Sequence, residues 1–554
     1  MPSPRLNPMF RLMPSLTDIA FLLPVIFLFT RMEGVRSMLG DGDTGWHERT
    51  GEWILAHGSV PFGDIFSYTM PGQPWIAWEW LWDVGAAVLH KYFGLGGIVL
   101  ASMFVLCLTF ALLYRLVNRR CGNGLVALML TALAASGSAI HWLARPHLLT
   151  WLFIVIFLHI LERVREGRTR LLLWLPVLTV LWTNLHGGFL AGIAILGAYG
   201  AGEVARALLA TTREARIGAV RASLPYFATA AGSLAASLVN PYFYHLHQHI
   251  VAYLRDPYEM KHIVEFQSAN FRNAGAGFFE AMLVLGLGAA VWFGWKKSFG
   301  DVVLVAVWAH LGLLSARNIP IYMIVAAPVA AAAMVEWFKA LSAAPLPGWI
   351  RRSADLIRSA AADIEPFERI GRAYVVGAVA LAVVGLGMTS PTAGKFLKPE
   401  YDRKAYPAGA LALLTDPALH IFTDDEWGDY LVYNLSPKGG KVFIDGRSDF
   451  YGPEFCEQYI ALLGVKYNWE QTLARYQVNT ILLPVEAPLA STIKESRNWR
   501  VVFDDGSAIV FRPAPQSGAA GEQFSTGSSG GIGRDLPITH QTTVISDHVS
   551  KKGA

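Results

Sequence analysis

The sequence predicts a polytopic α-helical membrane protein with about 11 transmembrane helices, amino terminus in and carboxyl terminus out, and a C-terminal periplasmic α/β domain. Three observations carry that prediction. Only 16% of the 554 residues are charged and 53% are hydrophobic, whereas a soluble domain carries about 25% charged residues. Apolar stretches near the roughly 20 residues needed to cross about 30 Å of hydrocarbon recur along the chain. Basic residues gather in every second loop between those stretches.

In chain order the apolar stretches lie near 17–36, 96–117, 124–142, 146–162, 171–184, 187–206, 224–240, 278–296, 300–315, 318–338 and 372–390. The pair across 171–206 is the weakest, because its first member is short. Arg5 and Arg11 precede IAFLLPVIFLFT as in a signal peptide, but RMEGVR follows with no small-x-small cleavage site, so this stretch reads as an uncleaved span. The aromatic segment WIAWEWLWDVGAAVLHKYF (75–93) carries Glu79, Asp83 and Lys91. Each such charge costs about 2.5–3.5 kcal/mol at the bilayer centre, so this helix is expected at the interface.

The loops test the count. Arg115, Arg119 and Arg120 fall in one; Arg163, Arg165, Arg168 and Arg170 in the next of the same parity. Arg206, Arg213, Arg216 and Arg221, then Lys296 and Lys297, then Arg351, Arg352 and Arg358 continue the series. The intervening short loops hold Arg145, Arg317 or no basic residue. Positive-inside bias then puts the first loop (37–95), segment 241–277 and everything after about residue 390 outside. The expected domains are a membrane domain over 1–390, an α/β domain over 391–513 and a disordered tail over 514–554. The α/β pattern rests on the strands KVFID, TILLP, WRVVFDD and SAIVFRP and the helices PEFCEQYIALL and NWEQTLARY. The tail, with GAAGEQFSTGSSGGIGRD, lacks the apolar residues for a core. Three cysteines, Cys107, Cys121 and Cys456, exclude a disulfide framework. No P-loop, no GxGxxG after a strand and no basic-aromatic strip for nucleic acid is present.

This topology collects the unusual polar residues on one side. Asp41 and Asp43, His141 and Arg145, Asn184 and His186, Asn240, Glu265, and Arg317 with Asn318 all fall at outer span ends or in outer loops. Ionisable groups at that depth mark a substrate path when they cluster, although single span-end arginines also snorkel. A carboxylate can take the proton of an attacking hydroxyl, and two close carboxylates can hold a divalent metal such as Mg or Mn. Arginines fit a departing phosphate. With no nucleotide pool outside, an activated group arrives on a lipid phosphate. Carboxylates plus arginines at that plane therefore point to group transfer from a lipid phosphate.

The first loop, DGDTGWHERTGEWILAHGSVPFGDIFSYTMPGQPWIAWEWL, combines a D-x-D-x-x-W-H start, a VP-x-x-D-x-FS-x-T middle and a W-x-x-x-EWL end. ARPHLLT, NLHGGF, NPY and RNIP follow, then WGDYL and KVFIDGRSDFYG. Over residues 17–513 this series and its architecture resemble the GT-C type membrane glycosyltransferase superfamily. That superfamily includes protein O-mannosyltransferases, the oligosaccharyltransferase catalytic subunit and the aminoarabinose transferase acting on lipid A. The resemblance implies sugar transfer from a polyprenyl-phosphate donor to a lipid-linked glycan, polysaccharide or protein acceptor at the bacterial inner membrane. It implies Asp43 as general base, with Asp41 orienting it or sharing a metal. Arg145, Arg317 and His186 would hold the donor phosphate. Asn184, Glu265, Asp445 and Arg447 are the candidates for acceptor recognition. No WWD-type acceptor motif is found, so transfer of a whole oligosaccharide to asparagine is not expected. A lipid or glycan transporter and a non-catalytic scaffold are the alternatives. His245 and His249 have helical metal-ligand spacing but no evident third ligand.

Overall fold

The computed structural model describes residues 14–273, 275–345 and 375–515, with positions 347 and 352. Arg5, Arg11, Arg351 and Arg358 lie outside them, as does the tail expected over 514–554 beyond its first two residues. Each apolar stretch of the sequence coincides with a helix, from Leu16–Arg31 to Val375–Met388. The first begins on a capping box, in which the Ser15 hydroxyl accepts from the Asp18 N–H and Asp18 accepts from the Ser15 N–H.

Six helices among the described residues are long and apolar enough to cross a membrane: Trp80–Cys121, Gly124–His141, His147–Arg165, Phe189–Leu208, Ala276–Trp295 and Ala316–Ala343. Thr169–Leu185, Phe299–Leu314 and Val375–Met388 are apolar but shorter. At 1.5 Å per residue a 14-residue helix reaches only about 21 Å, short of the hydrocarbon thickness. The helix Arg213–Ala236 is long, but four of its first nine residues are charged.

The stretch expected at the interface and the span after it run as helix from Trp80 to Cys121, broken at Gly94 (φ 61°, ψ −161°). That backbone conformation is open to glycine and strained for other residues, so Gly94 lets the chain change direction between the two segments. Upstream, the helix Asp43–His57 lies against the same segment. A Cβ on Gly51 would meet the Asp83 carbonyl oxygen at 1.9 Å. Gly51→Ala is therefore expected to destabilise the protein by about 1–3 kcal/mol, or to misplace the first loop, because backbone cannot yield as a side chain does. Thermal unfolding in detergent measures it.

The C-terminal region carries a four-stranded sheet in the order β1-β2-β4-β3, with β1 Ile421–Phe422, β2 Thr480–Pro484, β3 Trp499–Asp504 and β4 Ala508–Pro513. β1 runs parallel to β2, and β4 is antiparallel to both neighbours, with an irregularity between Val501 and Phe503. The helices Pro453–Leu463 and Trp469–Arg475 appear where the sequence places them. KVFID does not form a full strand. Val442 alone bridges Ile421 on one side and Ser67 of the first loop on the other. The Tyr68 N–H donates to the Val442 carbonyl (3.0 Å), and the Val442 N–H donates to that of Phe66 (3.1 Å). First loop and C-terminal sheet thus share backbone hydrogen bonds, and the chain as far as Pro513 forms one compact unit.

Candidate active site

The site is built where the first loop enters its helix. A 3-10 turn, Gly34–Leu39, leads through Gly40, Asp41 and Gly42 into the helix Asp43–His57. Asp43 opens that helix, where the N-terminal partial charge favours a carboxylate. Gly42 has no room for a Cβ, which would lie 2.6 Å from the Asp429 Cβ. Its N–H donates to Glu426 Oε1 (2.8 Å). The helix Asp425–Leu435 therefore packs directly on the paired acids.

Arg145 reaches the same point from the ARPH turn. That turn is pinned to the first loop by the Ala144 N–H donating to the Met38 carbonyl (2.7 Å) and by Thr44 Oγ1 donating to the Ala144 carbonyl (3.3 Å). Arg145 Nη1 lies 2.8 Å from Asp41 Oδ2 and Nη2 2.5 Å from Asp43 Oδ2. One guanidinium thus bridges both aspartates. Glu265 Oε1 stands 4.0 Å from Arg145 Nη1 and 3.0 Å from His141 Nε2. Burial opposes the charge on Glu265, yet the His141 hydrogen bond and the charges of His141, Arg145 and Arg317 hold its carboxyl below the usual range. Burial pushes Asp41 upward, against the pull of Arg145.

Arg317 sits in the same electrostatic neighbourhood, close enough to act on Glu265, Glu79 and His186. Its Nη1 donates to Tyr253 Oη (3.0 Å), and the guanidinium lies 5.2 Å from the Phe266 ring centroid. Among the described residues no carboxylate comes within 4.0 Å of it, so this cation keeps its charge for another anion. His186 Nδ1 accepts from the Gly188 N–H (3.0 Å), which leaves Nε2 facing Glu79 Oε1 at 3.4 Å.

Asn184, Asp445 and Arg447 are held elsewhere. Asn184 Oδ1 accepts from Trp80 Nε1 (2.8 Å) and its amide donates to the carbonyls of Val180 and Val239, which ties the interfacial segment to neighbouring helices. Arg447, 2% exposed, binds Asp445 through Nε and Nη2 (2.7 Å each) and reaches Asp64 Oδ1 at 2.7 Å. Its guanidinium lies 4.4 Å from the Trp75 ring centroid. This buried triad joins the first loop to the C-terminal region rather than lining an open surface. His245 and His249 diverge: His249 Nε2 pairs with Asp449 (2.8 Å) and His245 Nδ1 with Gln248 (3.0 Å).

Several groups at the site escaped the sequence reading. Asp429 lies behind Gly446, where a Cβ would meet Asp43 Oδ1 at 2.4 Å and Asp429 Oδ2 at 2.6 Å. Burial first and Asp43 second drive the Asp429 carboxyl upward, and burial with Asp41 lifts Glu426 to about 7. In DDEWGDYL, Asp424 caps the helix Asp425–Leu435, accepting from the Trp427 N–H (2.7 Å), and Asp429 further along the helix faces the site. Glu79 and His47 were equally hidden. His47 Nδ1 meets Asp83 Oδ1 at 2.7 Å, and its Nε2 lies 3.6 Å from Glu79 Oε2. Only the four-residue spacing of Glu79 and Asp83 hinted at a shared helical face.

Two places offer metal-ligand chemistry. At Asp41 and Asp43 the Arg145 guanidinium bridges the two Oδ2 atoms. Asp41 Oδ1 is buried without a hydrogen-bond partner. Glu48, Glu52 and His90 also converge within 4.8 Å. There Arg49 pairs with both acids, at 3.2 Å and 2.5 Å, and His90 Nδ1 lies 2.8 Å from Glu48 Oε1.

No family model matches the chain, and no curated protein sequence matches it. Solved structures do. The archaeal oligosaccharyltransferase AglB from Archaeoglobus fulgidus, in complex with an inhibitory peptide and a dolichol-phosphate, aligns over 92% of this chain and 74% of its own, with a TM-score of 0.50 and 13% identity. ArnT from Cupriavidus metallidurans bound to undecaprenyl phosphate aligns over 90% of this chain and 98% of its own, with a TM-score of 0.42 and 12% identity. At such identity the likeness to AglB establishes a shared fold alone.

Proposed function

We propose that this protein is a membrane glycosyltransferase. It transfers a sugar from a polyprenyl-phosphate donor to a hydroxyl-bearing acceptor, a lipid-linked glycan, polysaccharide or protein, on the extracytoplasmic side of a bacterial inner membrane. One observation carries the reading. Paired acids from the first loop and two arginines from distant loops share one electrostatic site, with Arg145 spanning both acids and Arg317 lacking a carboxylate partner among the described residues.

The chemistry follows from that division of labour. The acceptor oxygen attacks the anomeric carbon, Asp43 takes its proton, and the carbon–oxygen bond to phosphate breaks with its electron pair on the phosphate oxygen. Single displacement inverts the sugar carbon. Arg317 receives the growing phosphate charge, and the Arg145 guanidinium keeps the acid pair oriented. The alternation of basic loops supports the extracytoplasmic placement. It also supports a membrane domain over 1–390 followed by an outer α/β domain over 391–513. A divalent ion bound through the remaining carboxylate oxygens of Asp41 and Asp43 would supply a Lewis acid for the departing phosphate.

Arg317→Ala tests the donor site. A charge-assisted bond to a phosphate contributes about 1.5–3 kcal/mol, so affinity for undecaprenyl phosphate should fall roughly 10–100-fold. The unchanged protein and Asn240→Ala serve as controls. Equal binding by Arg317→Ala would overturn Arg317 as the phosphate receptor.

A further inference from the structure

Glu79 is 8% exposed and stands at the N-cap of the helix Trp80–Cys121. Its two carboxyl oxygens face two imidazoles, Oε1 with His186 Nε2 at 3.4 Å and Oε2 with His47 Nε2 at 3.6 Å. Asp83, one turn along, holds His47 Nδ1 at 2.7 Å. Arg145 and Arg317 both bear on the carboxyl electrostatically, as do Asp43 and Asp449. The carboxyl group thus stands beside His186 and within the electrostatic reach of Arg317, the cation assigned to the donor phosphate. As a carboxylate it would repel that phosphate; as a carboxylic acid it would donate an O–H to it.

Resting on the donor assignment above, we propose that Glu79 acts as a neutral carboxylic acid that donates a hydrogen bond to the lipid phosphate, a second recognition group beside Arg317. The imidazoles complete the arrangement. His186 Nδ1 is occupied by the Gly188 N–H, and Thr150 Oγ1 lies 2.8 Å from it. Burial first, and the neighbouring cations second, keep His47 and His186 neutral. Neither imidazole therefore competes with Glu79 for the role of proton carrier. Burial pushes the Glu79 carboxyl up to about 8, against Arg145 and Arg317 and with Asp449 and Asp43 adding to the rise.

The sign of the pH dependence follows. Below about pH 8 Glu79 carries its proton and binds phosphate; above it the carboxylate repels phosphate and affinity falls. The second ionisation of the phosphate, near pH 6 in phosphate esters, lies below this window. For the unchanged full-length protein in detergent, affinity for undecaprenyl phosphate should drop about tenfold between about pH 7 and pH 9. Glu79→Gln keeps a donor that cannot ionise, so its affinity should change by less than about twofold over the same range. Calorimetry of the unchanged protein in buffers of different ionisation enthalpy gives a second readout that needs no variant. Binding near the top of the range should take up a proton. A flat pH profile, an equal slope in Glu79→Gln, or no proton uptake overturns the assignment of Glu79 while leaving the donor site standing. Failure of the unchanged protein to bind undecaprenyl phosphate at any pH overturns the donor site and Glu79 together.

Discussion

Asp43→Asn should lower sugar transfer by at least about 10²-fold, with the folded population unchanged. The amide fills the same volume but cannot accept the acceptor proton. Arg145 would still be held by Asp41 Oδ2 at 2.8 Å, so the loop geometry survives. Asp41→Asn should cost less in turnover, because Asp41 serves mainly to fix Arg145. Transfer is followed with a lipid-phosphate sugar identified from the glycan and lipid profile of cells lacking the protein, and folding by thermal unfolding. Full activity of Asp43→Asn would move the base to another acid at the site, with Asp429 behind Gly446 the first to test. A transporter would respond to changes at mid-span groups instead, and a scaffold to neither aspartate.

Arg447→Met should remove about 3–5 kcal/mol of stability. The guanidinium is the only basic partner that the salt bridges among the described residues give Asp445 and Asp64. Removing it leaves two buried carboxylates facing each other without compensation. Asp64 would keep the Phe66 and Ser67 N–H bonds and the Ser67 hydroxyl (2.8–3.2 Å), so the first-loop turn persists while its anchor to the C-terminal region is lost. Denaturant or thermal unfolding gives the loss, and limited proteolysis of the first loop locates it. A double variant with Asp445→Asn should cost less than the sum of the single changes, since the two act on one network.

Helix positions were legible in the sequence because a bilayer imposes a coarse and strict rule: long apolar runs, with charge confined to their ends. The α/β pattern after about residue 390 was legible as short apolar runs set between helical stretches, and TILLP, WRVVFDD and SAIVFRP form strands there. KVFID failed because its neighbours in space, Ser67 and Ile421, are remote in sequence and pair with Val442 alone. How many helices cross was less legible, since composition marks a helix as apolar without fixing that it is long enough.

The sequence by itself determined a mostly helical, apolar chain with a small C-terminal sheet region, and the kinds of group available: paired acids, scattered arginines and histidines at helix ends. The tertiary structure alone decided which of them meet. Arg145 is about a hundred residues from Asp41 and Asp43, yet a single guanidinium spans both, whereas Asp445 and Arg447, two residues apart, neutralise each other in a buried triad. Charge interactions depend on distance through space and on burial, not on separation along the chain. That is why Glu79, which composition makes an ordinary interfacial charge, becomes a buried acid between two imidazoles only once the chain is folded.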